Sequence, residues 1–228
     1  MACSRVTFSI LCAVVSALSL RAETKRNSKD GLIYVWIPPG TYTMGCSPGD
    51  GECFDWEAPR HNVAVKKGFW IGQTEVTQRA YEKEMGTNPS RYRGPYLPVE
   101  QVGWFDAQRY CEAVGMRLPS EVEWEYAARG GIRDSLYGSV GSIAWYDANS
   151  NDRTHRVAQK KSNAFGLYDM LSNVWEWVQD VYVSGGAKRV LRGASFYNLA
   201  RDLRVSNRLW AAPETNHRNM GVRCAGPI

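Results

Sequence analysis

Four of the six cysteines constrain the fold more strongly than any other feature of the sequence, because they are spread over most of the chain. They are Cys46, Cys53, Cys111 and Cys224. The other two, Cys3 and Cys12, lie in residues 1–22, which have the pattern of a signal peptide. An even set of cysteines in an exported chain predicts two disulfides, and four cysteines allow three different pairings. A local disulfide between Cys46 and Cys53 would suit the loop of turn residues, SPGDGE, that separates them. The cysteine positions themselves leave the choice among the three pairings open.

The first 22 residues have the pattern of a signal peptide, with Arg5 in front of an apolar stretch that ends near small residues. We therefore expect an exported protein, at the cell surface or in the periplasm. Cys12 would allow a lipoprotein with a lipid anchor in the membrane, but Leu11 before it is larger than such a site prefers. Residues 23–30 are charged and predict a mobile linker, which places the folded domain at 31–228.

Composition narrows the class of partner. The formal charge of +5 results from 28 basic and 23 acidic residues that are scattered along the chain. Because no basic stripe is interleaved with aromatic residues, we do not expect nucleic acid as a partner. Nine tryptophans and twelve tyrosines predict instead that large rings stiffen a fold rich in loops.

Helix start and stop signals occur at two places. Thr77 can cap a helix that runs to the residue before Gly86. Ser120 and Glu123 form a capping box, which predicts a further helix that ends at Arg129. These signals predict two short helices with defined ends.

Periodicity predicts the other elements. Apolar positions at helical spacing predict a helix over 104–114, with Cys111 on its inner face. Apolar runs at 32–37 and 63–71 predict strands. Three glutamates of the last helix do not share one face and are predicted to be surface charges: Glu121, Glu123 and Glu125.

The last 40 residues, 189–228, mix two kinds of position. One kind is typical of scaffold, such as Leu203 and Val205, which are apolar among polar neighbours. The other kind is chemically miscellaneous and follows neither a helical nor a strand period, as in surfaces that bind other molecules. An irregular C-terminal region without a binding role is the alternative. The candidate ligand-binding residues are Phe196, Tyr197, Asn198, Leu199, Arg201, Asp202, Asn207, Leu209, Trp210, Ala211, Glu214, Thr215, His217 and Arg218.

Seven phrases then occur in a recognisable order: IPPGTYTMG (37–45), FWIGQTEVTQRAY (69–81), PVEQVGWFDAQRYC (98–111), RLPSEVEWEYAARGG (117–131), FGLYDMLSNVWEWVQD (165–180), RVLRGASF (189–196) and GVRCA (221–225). With these phrases the chain resembles the formylglycine-generating-enzyme-like (sulfatase-modifying factor) family, a branch of the C-type lectin fold. The resemblance implies an α+β fold with little regular secondary structure, a small antiparallel sheet and two main helices. It also implies a Cys111–Cys224 disulfide, which leaves Cys46 and Cys53 as the second pair.

The family's activity depends on residues that this chain lacks. Its enzymes oxidise a cysteine of a substrate sulfatase with two active-site cysteines that bind copper. Matching the turn at Gly193 and the later Arg208 puts Ala200 and Val205 at those two positions, and neither side chain can form a thiolate. The sequence also has no phosphate loop, nucleophile elbow or zinc spacing. We therefore expect a protein that is not an enzyme; the alternative is an oxidoreductase of altered chemistry.

The C-terminal segment is also similar to the variable region of Treponema-type proteins that are diversified by a diversity-generating retroelement. In such regions, mutagenesis of adenines turns asparagine codons into codons for many residue types while scaffold residues persist. Trp210 and Glu214 cannot arise from an asparagine codon in this way, although a lysine codon in the template could give either. The resemblance implies a display protein that binds an unknown protein or cell-surface ligand through this segment.

The resemblance also implies a possible structural cofactor, a calcium ion. Family members can hold calcium through backbone carbonyls and a carboxylate near an NxWEW motif, which this chain retains from Asn173 to Glu176. The implied site is a structural calcium ion at Glu176 and Asn173, with no cofactor required. The alternative is that the Glu176 carboxylate pairs with a cation or with hydrogen-bond donors inside the core.

Overall fold

The computed structural model describes residues 22–183 and 185–226. The predicted signal peptide therefore lies outside the described residues, except for its last residue, Ala22. Within the two described ranges, no helix is both long enough and apolar enough to cross a membrane.

Short strands and helices alternate with long loops. The strands are β1 (Thr24–Arg26), β2 (Ile33–Ile37), β3 (Gly40–Met44), β4 (His61–Val65), β5 (Phe69–Gly72), β6 (Trp175–Val181), β7 (Arg189–Arg192), β8 (Arg208–Ala211), β9 (Met220–Gly221) and β10 (Ala225–Gly226). The helices are α1 (Gln78–Met85), α2 (Trp104–Ala113), α3 (Glu121–Arg129), α4 (Val140–Ile143) and α5 (Asp147–Ser150), and 3-10 turns occur at Asp55–Glu57 and Ala200–Asp202. The predicted α+β class with little regular structure is confirmed.

The described strands form three sheets. One has the order β1-β2-β5-β10 and is antiparallel throughout. The hairpin β3–β4 forms a second, two-stranded sheet. The third has the order β8-β7-β6-β9, and its β6–β9 pair is parallel. The C-terminal segment thus supplies three of the four strands of this third sheet and one edge strand of the first.

Residues 23–30 are part of the folded domain, and the prediction of a mobile linker is wrong. Thr24–Arg26 pairs antiparallel with β2, and the Lys25 residue lies opposite Tyr34. Asp30 is buried and accepts a hydrogen bond of 3.0 Å from the Tyr34 hydroxyl. An edge strand keeps polar side chains in water while its backbone pairs on one side. The charged composition therefore did not distinguish an edge strand from a linker.

The predicted helix ends are confirmed at both places. The Thr77 side chain accepts a hydrogen bond from the Ala80 backbone N–H, and α1 ends at Gly86 with φ of 72°. At the start of α3, Ser120 and Glu123 exchange the two hydrogen bonds of a capping box. The capping residues satisfy backbone donors that the first helical turn leaves without a partner.

The prediction of surface charge is wrong for Glu121 and Glu125, which are buried. Helix α3 packs against β7, and Arg192 of β7 is fully buried beside it. The Arg192 guanidinium donates to the Glu125 carboxylate at 2.5 Å, and Arg129 donates to the same carboxylate at 2.7 Å. Paired arginines offset part of the cost of burying these carboxylates. Helical spacing did not reveal them because Arg192 is distant in sequence.

The four cysteines pair as the resemblance implied, Cys46 with Cys53 and Cys111 with Cys224. Cys111 lies on the inner face of α2, as predicted, and both Cys111 and Cys224 are buried in the core. Cys224 directly precedes β10. This disulfide therefore joins the end of the C-terminal segment to the second helix.

Candidate binding surface

Buried arginines attach the C-terminal segment to the rest of the domain. The Arg192 guanidinium donates to the backbone oxygen of Val205 at 2.8 Å and to that of Ser206 at 2.7 Å. Arg204 forms an ion pair with Glu57, and both side chains are buried. Hydrogen bonds from a charged donor are stronger than neutral ones, so these contacts fix the backbone of the segment from its inner side.

Two glycines permit close packing where the segment turns. Gly193 has φ of 98°, and a Cβ atom there would lie 2.9 Å from a ring carbon of Trp124 and 3.0 Å from the Met170 carbonyl oxygen. A Cβ atom at Gly221 would lie 2.4 Å from the carbonyl oxygen of Val99. Side chains larger than hydrogen do not fit at either position.

Most of the predicted binding residues reach the surface. Tyr197 is 58% exposed and Leu199 is 48% exposed. The predicted anchors Leu203 and Val205 are fully buried instead, which separates the scaffold positions from the surface positions. The remaining exposed or half-buried candidates are Asn198, Arg201, Asp202, Leu209, Trp210, Ala211, Glu214, Thr215, His217 and Arg218.

Two of the predicted binding residues, Phe196 and Asn207, do not face solvent. Phe196 is 0% exposed, and its ring meets the ring of Tyr92 edge-on at 5.7 Å. Asn207 is 4% exposed, and its amide group donates to the backbone oxygen of Asp202 at 2.7 Å. The prediction of ligand contact is wrong for both because their side chains are used in packing and hydrogen bonding below the surface.

Several of the exposed candidates belong to one of two groups, which Trp210 and Arg218 represent at the two edges of the third sheet. Trp210 belongs to β8 at one edge, whereas Arg218 lies just before β9 at the other. We call the first group the Trp210 patch, consisting of Phe54, Trp56, Tyr182 and Trp210. We call the second the Tyr197 patch, consisting of Tyr197, Asn198, Leu199, Asp202 and Arg218.

The Trp210 patch is a row of aromatic rings. The Trp210 ring stacks on Tyr182 with centroids 3.9 Å apart and meets Trp56 edge-on at 5.5 Å. Trp56 stacks in turn on Phe54 at 4.5 Å. Three of the four rings come from outside the C-terminal segment and were missed by sequence reasoning. The high tryptophan content was the one sequence signal for such a cluster of rings, since residues 54–56, 182 and 210 are far apart in sequence.

The Tyr197 patch is polar at its base and apolar at its tip. The Arg218 guanidinium lies over the Tyr197 ring at 5.5 Å and donates to Asp152 at 2.9 Å. The hydrogen bond with Asp152 raises the pKa of Arg218. Asp202 accepts hydrogen bonds of 3.2 Å from the Leu199 backbone N–H and from the Asn198 side chain. Tyr197 and Leu199 are thus held on an ordered loop.

The side chains of Glu176 and Asn173 do not fit the implied calcium site. Arg223 donates to both Glu176 carboxylate oxygens at 2.7–3.0 Å, and the Trp124 ring N–H donates at 2.6 Å. The Asn173 side-chain oxygen accepts from the His155 backbone N–H at 2.9 Å. A guanidinium against the carboxylate would repel a divalent cation, so the alternative of a core ion pair describes Glu176. Over the described ranges, no group of three or more His, Cys, Asp or Glu side chains is placed to hold a metal ion.

Arg223 also compensates two further buried carboxyl groups. Burial raises the pKa of Glu75 well above its ordinary value, and the charge of Arg223 lowers it. Burial raises the pKa of Asp169 to about 6, and the charge of Arg223 again lowers this pKa. Arg223 itself is fully buried and donates to the backbone oxygens of Gly72 and Tyr168 at 2.9 Å. This arginine therefore joins the C-terminal segment to Glu176 of the core, and its charge also acts on Glu75 and Asp169.

Comparison with known proteins gives one matching family model, described as the sulfatase-modifying factor enzyme 1-like domain, over residues 20–228. A mouse protein named inactive C-alpha-formylglycine-generating enzyme 2 is 37% identical over 150 residues, covering 57% of this chain and 49% of the relative. The formylglycine-generating enzyme of Streptomyces coelicolor is 28% identical over 84% of this chain and 88% of its own. The chain spans about half the length of the mouse relative.

Two solved structures resemble the whole described domain. PvdO from Pseudomonas aeruginosa superposes with a TM-score of 0.82 at 27% identity, covering 91% of this chain and 99% of that structure. Treponema denticola variable protein 1 superposes with a TM-score of 0.80 at 25% identity, covering 90% and 99%.

Proposed function

This chain belongs to the sulfatase-modifying factor enzyme 1-like family and has the C-type lectin fold of the formylglycine-generating type, and from that premise we propose that it is a binding protein rather than an enzyme. Its C-terminal segment, residues 189–228, is the part that a diversity-generating retroelement diversifies. The protein is exported and uses this segment to bind a protein or another molecule on a cell surface.

The division of the segment into buried and exposed positions carries the proposal. Arg204 and Val205 are buried and hold the backbone, whereas Tyr197, Leu199 and Arg201 reach solvent within the same stretch of chain. Substitutions away from the core and from buried networks usually change stability little. A surface built in this way can change its chemistry while the fold persists, which is the physical requirement for a diversified binder.

The chemistry of the exposed residues supports binding to a macromolecule. Aromatic and large apolar side chains supply contact area at low entropic cost, and they dominate the energy of many interfaces. Tyr197 and Leu199 offer such area on one patch, and Trp210 with Trp56 offers it on the other. Arg201, which precedes Asp202 of the Tyr197 patch, adds a charged group that can give directional contacts. The ligand therefore has an apolar surface with accompanying polar or acidic groups.

The likeness to a solved protein that is itself called variable supports diversification of this segment. Two disulfides support export, because such bonds form and persist in oxidising compartments. Two relatives, from Mus musculus and Bos taurus, are named inactive, whereas the relative from Streptomyces coelicolor is named a formylglycine-generating enzyme. The fold therefore accommodates members without the family reaction.

The residues at the family's catalytic positions favour a role without oxidase chemistry. Ala200 is exposed in a 3-10 turn, and Val205 is fully buried in the core. All four cysteines of the described residues are in disulfides, so none of them offers a thiolate for copper. An oxidoreductase of altered chemistry would need different ligands and a different electron path.

The proposal predicts that the exposed positions tolerate randomisation. A library with random residues at Tyr197, Leu199, Arg201, Thr215 and His217 should keep most clones folded, with stability changes within about 1 kcal/mol per substitution. Display of the library on yeast, followed by proteolysis, measures the folded fraction. Panning the folded clones against lysozyme, an arbitrary protein probe, should then yield binders.

The matched control is a second library at five buried positions of the same segment: Phe196, Leu203, Val205, Ser206 and Asn207. Most of its clones should be cleaved, because large-to-small core changes cost about 2–5 kcal/mol and buried polar groups lose their partners. Equal folded fractions in the two libraries would contradict the proposal, as would a folded surface library that yields no binder.

A further inference from the structure

A cavity of about 730 Å³ lies between the β3–β4 hairpin, the loop of the Cys46–Cys53 disulfide and the end of α3. Its volume is within the range of about 300–1,000 Å³ that is typical of small-molecule sites. The 13 residues that line it include three arginines and no aspartate or glutamate. This wall composition makes the cavity electropositive.

Two of these arginines have no acidic partner among the residues that the structure describes. Arg129 is buried and its charge is balanced by Glu125, which accepts a hydrogen bond from it at 2.7 Å. Arg60 and Arg133 are exposed at the cavity, and neither forms an ion pair with any described residue. A guanidinium binds carboxylate, sulfate and phosphate groups through paired N–H donors. The cavity therefore has two free positions for oxyanions.

The other walls suit a ring that carries hydroxyl groups. The Tyr42 and Tyr126 rings lie 5.4 Å apart and tilted by 34°, and both line the cavity. The Tyr42 hydroxyl is used by its bond to the Val122 carbonyl oxygen, so the part of this residue that remains for a ligand is its ring. Aromatic rings pack well against the C–H faces of sugars.

Fixed hydrogen-bonding groups stand beside the rings. The Thr43 hydroxyl donates to the Asn62 side-chain oxygen at 3.0 Å, which leaves the Asn62 amide nitrogen as a donor. The Ser47 oxygen accepts from Arg129 at 3.2 Å, which leaves the serine O–H free to donate. Small-molecule sites typically combine apolar walls with a few such oriented polar groups.

We propose that this cavity binds a saccharide that carries sulfate or carboxylate groups, with Arg60 and Arg133 as the anion-binding residues. The site is separate from residues 189–228, so it does not rest on the proposed function of that segment.

Isothermal titration of the full chain at low ionic strength tests the proposal with four probes: a sulfated heparin-derived disaccharide, digalacturonate, lactose and inorganic sulfate. At least one charged disaccharide should bind with a dissociation constant below about 1 mM. The R60Q/R133Q variant should bind it at least about tenfold more weakly, because each lost charge-assisted hydrogen bond contributes substantially to affinity. The charged probe that binds more tightly shows whether the site prefers sulfate or carboxylate groups.

The control is R91Q/R153Q, which removes two exposed arginines that do not line the cavity and so has the same net charge. Its affinity should match the unsubstituted chain. The proposal is overturned if neither charged disaccharide binds, if lactose or inorganic sulfate binds as tightly, or if both double variants bind equally.

Discussion

Replacing Arg223 with methionine is expected to lower the free energy of unfolding by about 4 kcal/mol, because removal of one partner leaves a buried charge uncompensated. The Glu176 carboxylate would lose its bonds from the guanidinium, and the carbonyl oxygens of Gly72 and Tyr168 would lose a donor. Urea unfolding followed by tryptophan fluorescence measures the change.

The size of this loss should depend on pH. Burial raises the pKa of Glu75 and Asp169, and Arg223 lowers both, so removal of Arg223 raises both further. A carboxyl group whose pKa is raised in the folded state favours folding while protonated, and this stabilisation is lost as pH rises through the raised pKa. Asp169 already has a pKa of about 6. The deficit of R223M should therefore be larger at about pH 8 than at about pH 5.

Arg109→Met is the matched control because it removes an exposed arginine of α2 that pairs with Asp106. An exposed ion pair contributes little, so its loss should cost no more than about 0.5 kcal/mol at either pH. If R223M and R109M unfold at similar urea concentrations, Arg223 does not hold the C-terminal segment to the core.

Removing the Cys111–Cys224 disulfide with the C111A/C224A double variant is expected to cost about 5 kcal/mol. The two cysteines are separated by 113 residues, so their bond excludes many conformations of the unfolded chain. It also ties the end of the C-terminal segment to α2. Urea unfolding of the double variant, compared with the oxidised protein, measures the loss.

The Cys46–Cys53 disulfide provides an internal comparison. Its cysteines are separated by 7 residues, so C46A/C53A should lose only about 2.5 kcal/mol by the same relation. An equal or reversed order of the two losses would show that native contacts, and not the length of the closed loop, determine the contribution of each bond.

The sequence predicted the parts of the fold that local chemistry specifies. Thr77 and Ser120 are capping residues with a single physical role, and both helices begin where these residues occur. The anchors Leu203 and Val205 were identified because they are apolar among polar neighbours. The family phrases implied the disulfide pairing, which the cysteine positions alone could not decide.

The sequence did not predict features that depend on contacts between distant segments. The helical period predicts that Glu125 lies on the surface. Arg192 of β7 donates a hydrogen bond to its carboxylate, which permits its burial. Phe196 looked like a binding residue because its neighbours are miscellaneous, although Tyr92 and the core enclose it. Trp56 joins Trp210 only through the tertiary fold. Local patterns contain no information on such partners.

The central claim is that the exposed positions of residues 189–228 are diversified while the buried positions are constant. Sequencing this part of the gene across a population, together with any near-identical template copy in the same genome, tests it most directly. The claim predicts that substitutions trace to template adenines and concentrate at Tyr197, Leu199, Arg201, Trp210 and Thr215. Buried or closely packed positions such as Phe196, Arg204 and Gly221 should not vary. If the codons of the exposed residues are as constant as those of the buried ones, this segment is not a diversified binding surface.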